Sequence, residues 1–125
     1  MKKGIALVLA LFSMVFMALL VVAFLDIATI DYQIVTNHIR GLQAEFIADA
    51  GVETGIYELR QDDEYSGSSG DVVFPSGSGN TYNVTVDGDE IVSVGTVDGF
   101  SRTITVDFTL SGASAPHTVT INTWE

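Results

Sequence analysis

Few residues in this chain have side chains suited to catalysis or ligand binding, and their spacing does not assemble a site. His38 and His117 are the only histidines. No second metal ligand stands three or four positions from His38, so it reads as an exposed helix residue, and His117 lies in a different structural context. Two acidic clusters, Asp62-Asp63-Glu64 and Asp87-Gly88-Asp89-Glu90, offer the hard oxygen ligands that Ca²⁺ prefers. Neither follows an EF-hand loop, and both read as solvated turns. The absence of cysteine removes disulfides, thiolate metal sites and haem or iron–sulfur attachment. The G-x-S-x-G, H-E-x-x-H and phosphate-loop patterns are absent, because Gly67, Gly70, Gly77 and Gly79 fall in Ser-rich loops. Asn83-Val84-Thr85 matches a glycosylation pattern but falls inside a predicted strand. The expectation is a protein that is not an enzyme, holds no cofactor or metal, and works through surfaces.

The elements that present those surfaces begin with an apolar run from Ile5 to Leu25, in which Ser13 is the only polar side chain. Roughly 20 helical residues cross a bilayer, so the run is long enough to span one. Lys2 and Lys3 precede it and hold the N-terminus in the cytoplasm by the positive-inside rule, leaving the C-terminal part outside. Three readings compete. A secretory signal peptide fits poorly, because the run is longer than the usual apolar core and Val21-Val22-Ala23 is a weak cleavage site. An uncleaved signal anchor is the second. The third is a short leader, residues 1–4, removed after Gly4 so that the apolar stretch stays in the product.

Helical sequence continues past Leu25. No proline occurs before Arg60, and Gly41, Gly51 and Gly55 stand singly, each costing a helix about 1 kcal/mol without ending it. Ile27, Ile30, Ile34, Val35, Ile39, Leu42, Phe46 and Ala50 recur at helical spacing, and Val52, Ile56 and Leu59 form a further stripe. The pattern predicts one helix over residues 5–60. Its first part, 5–25, is apolar all round, and its extension, 26–60, is amphipathic.

The opening Gly4-Ile5-Ala6-Leu7-Val8 and the later Arg40…Ala44-Glu45-Phe46-Ile47-Ala48-Asp49-Ala50-Gly51-Val52-Glu53 resemble type IV pilin-like proteins. The likeness is nearest to minor pilins with a PilX-type N-terminus and to K-type pseudopilins of type II secretion. Within it, Ala48, Asp49, Ala50, Gly51, Val52 and Glu53 match a family motif, with Asp49 in place of the usual Glu. The resemblance implies that a prepilin peptidase cuts between Gly4 and Ile5 and methylates the new amine of Ile5. It implies a long helix on a small sheet, held in the bacterial inner membrane with its C-terminus outside until extracted into an extracellular or periplasmic filament. Leu9, Phe12, Phe16, Leu20, Phe24, Ile27, Ile34, Ile39, Leu42 and Phe46 would then pack in a helix bundle. The implied partners are pilin-like subunits, the peptidase, the assembly platform and the membrane. Two departures point to a minor or tip-associated subunit. Leu9 stands where major pilins carry Glu in the apolar span, and Asp26 stands where many carry a helix-breaking proline. Asp26 and Asp31 read as solvated carboxylates, with pairing to a neighbour's Arg40 or Ile5 amine as the sharper alternative.

Residues 61–125 change character. The polar Gln61–Gly70 stretch ends the helix, and the period becomes two. Strands are predicted near 71–74, 81–87, 90–97, 100–110 and 117–123. Asp87-Gly88-Asp89 and Asp98-Gly99 supply hairpin turns. Such a meander needs its apolar face covered, and the Val52/Ile56/Leu59 stripe is the available cover. Trp124 reads as a residue at the edge of the core, with an exposed contact point as the alternative. The predicted class is α+β: a long N-terminal helix packed on a small antiparallel sheet of four or five strands. Net charge is −11, concentrated in residues 61–125, where Arg102 alone opposes ten acids. That balance argues against nucleic-acid binding. Two other readings stay open: a type II secretion pseudopilin, and a single-pass membrane protein displaying a small β binding domain without polymerising.

Overall fold

A computed structural model describes residues 2–125, with side chains from Gly4 onward. The side chains of Lys2 and Lys3, on which the membrane orientation rests, lie outside the described residues. The chain divides into two compact units, one ending at Asn37 and the other formed by His38–Glu125. The boundary falls within one helix, α1 (Lys2–Gln61), unbroken as the lack of proline predicts.

In the first unit, every side chain from Ile5 to Leu25 is exposed. This part of α1 is long enough and apolar enough to cross a membrane. Two of its threonines find partners within the helix. Thr29 Oγ1 donates to Leu25 O (2.8 Å) and Thr36 Oγ1 to Tyr32 O (2.9 Å), one turn back.

The second unit packs the C-terminal part of α1 on a five-stranded antiparallel sheet. Its strands are β1 (Val72–Val73), β2 (Thr81–Asp87), β3 (Glu90–Val97), β4 (Phe100–Ser111) and β5 (Thr118–Trp124), in the order β1-β2-β3-β4-β5. Both predicted hairpins form. Asp98 and Gly99 carry φ of 48° and 83° between the paired Val97 and Phe100, the double positive φ of a type I′ turn. Between Asp87 and Glu90, Gly88 takes φ 60° as the first central residue. The first strand is shorter than the predicted 71–74, pairing only through Val72 and Val73, and residues 66–68 of the preceding loop meet the rest of β2.

The core is the predicted pairing of helix stripe and sheet. Ala44, Ile47, Ala48, Val52, Ile56 and Leu59 from α1 meet Tyr82, Val84, Ile91, Val97, Ile104, Val106 and Phe108. The helix ends at Gln61, where Asp62 N–H donates to Glu58 O (2.9 Å) and His117 N–H, from the far end of the sheet, donates to Arg60 O (2.8 Å). That second bond satisfies a terminal helix carbonyl that no residue of the helix can reach.

Candidate functional site

Two surfaces carry the sequence expectations. The first is the apolar part of α1. Leu9, Phe12, Phe16, Leu20, Phe24, Ile27 and Ile34 lie in the first unit and are between 40 and 74 % exposed. Nothing lies within 4 Å of where a Cβ on Gly4 would stand, its chain neighbours and the helix's own backbone aside. Ile39, Leu42 and Phe46 lie in the second unit, also exposed, on the side of α1 that does not meet the sheet. This leaves a stripe of large apolar side chains facing solvent. In water such a surface marks an interaction site or a lipid contact.

The second surface holds the Ala48–Glu53 motif, and here the structure adds what the sequence reading missed. Ala48, Gly51 and Val52 are buried against the sheet, Asp49 and Ala50 are half-buried, and Glu53 is exposed. The buried face also includes Gly41, Ala44 and Gly55. These small residues recur every three or four positions and form one face, letting the helix backbone lie directly on β3. A Cβ on Gly95 would run into Ala44 O and Ala48 N. One on Gly51 would meet Ser93 Oγ, and one on Gly55 would come to 3.2 Å from Val84 and 3.4 Å from Ile91. Strand β3 therefore turns Ile91, Ser93, Gly95 and Val97 inward. The alternation of β3 looks weak in the sequence because two of its inward positions hold Ser and Gly where the helix leaves no room for more. Ser93 Oγ is fully buried without a hydrogen-bond partner among the described residues.

The remaining polar groups serve the fold. Arg40 has partners within its own chain: its Nε lies 3.4 Å from Asp98 Oδ2, and its guanidinium lies 5.9 Å from the Phe100 ring centroid. His38 is exposed, as expected. His117 is buried, with Nδ1 3.2 Å from Gly112 O and Nε2 4.0 Å from Asp63 Oδ1, and it ties the β4–β5 loop to the helix end. Asn83 lies in β2 and donates to Asp71 Oδ1 (3.1 Å). Both acidic clusters are turns: Asp62 Oδ1 accepts from Glu64 N–H (3.0 Å), and Asp87–Glu90 close a hairpin. Among the described residues, no three His, Asp or Glu side chains are placed to hold a metal ion.

A notch of about 350 Å³ opens where β4 outruns β3, with Leu59, Tyr65, Phe108 and Leu110 below and Asp63, Glu64 and Asp89 at the rim. Burial there raises the Tyr65 phenol above its usual pKa, with the negative charge of Glu58 and then Tyr82 adding to the shift. Trp124 is 43 % exposed, at the outer edge of the sheet and not enclosed in the core.

Comparison with protein-family models, curated proteins and solved structures gives no match.

Proposed function

We propose that this chain is a structural subunit of a type IV pilus-like filament, of the minor or tip-associated kind, held in the membrane by the first part of α1 before assembly. The observation that carries this reading is the exposed apolar stripe from Leu9 to Phe46 on a helix that runs on into a packed head. A bilayer needs about 20 apolar residues. Here Ile27, Ile34, Ile39, Leu42 and Phe46 continue the stripe beyond Leu25. Helices of neighbouring subunits would cover the part of that continuation that lies beyond a span of this length. The Gly4-Ile5 junction and the Ala48–Glu53 motif support the same reading through their resemblance to the family. The role is mechanical, with no catalytic residue and no cofactor.

The test is processing. Intact mass of the protein from its native cells should show a chain starting at a methylated Ile5. Gly4→Leu should leave the full-length precursor. A chain still starting at Met1, or normal cleavage of the variant, would sink the leader assignment and leave a plain membrane-anchored β domain. A pseudopilus differs in its fate: its subunit stays cell-associated where a pilus subunit appears in sheared surface filaments.

A further inference from the structure

The two edges of the sheet are finished differently. Along β2 the chain covers its own edge. Val72 and Val73 pair with Tyr82 and Thr81, and Gly67 bridges Thr85. Ser68 N–H donates to Val84 O (2.9 Å) and Val86 N–H to Ser66 O (3.1 Å), while Ser68 Oγ accepts from Val84 N–H (3.1 Å). Little of that ladder is left open.

Strand β5 has β4 on one flank and no strand on the other among the described residues. Glu125 and Thr105 exchange both backbone bonds, at 2.7 and 2.9 Å. Antiparallel pairs alternate between bonded and non-bonded, so Trp124, opposite Val106, turns its N–H and C=O outward. Counting back through the bulge at Asp107/Phe108, Ile121 and Val119 do the same. Their partners Phe108 and Leu110 belong to the core side of the sheet, as does Val106. Ile121 and Trp124 are nonetheless each 43 % exposed. The edge is thus open in its backbone and in its packing. Its sequence, TVTINTW, holds no lysine, no proline and no inward charge, three of the devices that blunt an exposed edge, and the bulge opposite Asp107/Phe108 is the one such device it carries.

We infer that the β5 edge docks an extended, antiparallel strand from a different protein, with apolar and basic residues in alternation. The outward backbone groups of Val119, Ile121 and Trp124, otherwise met by water, select a strand as the occupant, because a ladder pairs every member of such a row. The exposed Ile121 and Trp124 call for apolar residues at alternate positions of that strand. Its other positions are basic, since Asp107, opposite Thr123, and Glu125, opposite Thr105, are the exposed charges beside β5 on that face of the sheet. This surface is separate from the apolar helix and does not rest on the filament reading.

The test uses the full chain in neutral detergent micelles and a blocked seven-residue peptide of alternating valine and lysine. Saturating peptide should slow hydrogen exchange at the Val119, Ile121 and Trp124 amides about tenfold or more. The same peptide N-methylated on the valines or the lysines, whichever face β5, should give no protection, because its ladder is blocked while its charge is kept. Ile121→Pro removes one outward N–H at a position where an edge strand tolerates proline. It should abolish protection while the thermal melt holds. Equal protection by every N-methylated peptide would reduce the effect to charge attraction and overturn the proposal. So would no protection at about 1 mM peptide, a concentration at which even weak binding fills the edge. Slow exchange that depends on protein concentration without peptide would show a second copy on the edge, and would overturn it as well.

Discussion

The two parts of α1 are the same secondary structure built for opposite reasons. From Ile5 to Leu25 the side chains are large, apolar and all exposed. From Gly41 to Leu59 the buried face is mostly small: Gly41, Ala44, Ala48, Gly51 and Gly55, with Ile47, Val52, Ile56 and Leu59 filling beside it. The first part gains nothing from its own chain and needs another apolar medium. The second gains from close approach, with dispersion contacts made backbone to sheet. Hydrophobic content and burial therefore run in opposite directions along one helix. The lesson is that burial inside this chain is decided by the fit to β3, and apolar size marks the surface left for something else.

The largest break in that contrast comes from Gly95→Val. Its side chain would occupy the space of Ala44 O and Ala48 N. Because backbone cannot move aside as a side chain can, the expected loss exceeds about 4 kcal/mol, enough to unfold the sheet unit. Circular dichroism of the full chain in micelles should show the strand signal lost while the helix signal of the first unit persists. A folded Gly95→Val sheet would refute the close approach.

A matched pair of truncations comes next. Leu59→Ala removes a side chain that is 2 % exposed and should cost about 2–5 kcal/mol in the thermal melt of the head. Phe16→Ala, in the exposed part, should leave that melt unchanged and show only in assembly or membrane retention. If both shift the melt alike, the two parts of α1 do not have the separate roles described.

The smallest expected effect has the opposite sign. Ser93→Ala removes a buried hydroxyl that has no partner, at a site where a methyl fits against Gly51. Since an unsatisfied buried group costs about 1–3 kcal/mol, the variant should melt higher, though part of that gain is lost with the contacts of the oxygen. A lower melt would mean that Ser93 has a partner, such as a bridging water.

Much of this architecture is legible in the sequence. Asp98-Gly99 announces a hairpin because its two positive-φ positions accept few other pairs. Val52, Ile56 and Leu59 announce the sheet-facing stripe because they are large and helically spaced. The small residues of that face are not legible by the same means, since hydropathy scores glycine and alanine as neutral. Read for size, Gly41, Ala44, Ala48, Gly51 and Gly55 carry the signal at the same spacing. Gly95 and Ser93 hide for the complementary reason: they look like defects in a strand until the helix is laid on them. His117 as the partner of Arg60 O was not legible at all, because a backbone bond carries no residue preference. For the functional surfaces, the exposed stripe from Leu9 to Phe46 is evident from composition, and the open edge of β5 emerges only once strand order is known.

The strand order β1-β2-β3-β4-β5 also sets a timetable. Each strand pairs with the next one along the chain, so the sheet grows by short-range closures, the quickest kind of tertiary event. The long-range step is the meeting of Ala44, Ala48 and Gly51 with Gly95 and Ser93. The helix face is made first and must wait for β3, and the bond from His117 to Arg60 forms only after four strands are in place. The N-terminal apolar segment is thus complete and available to a membrane well before the head that follows it has closed.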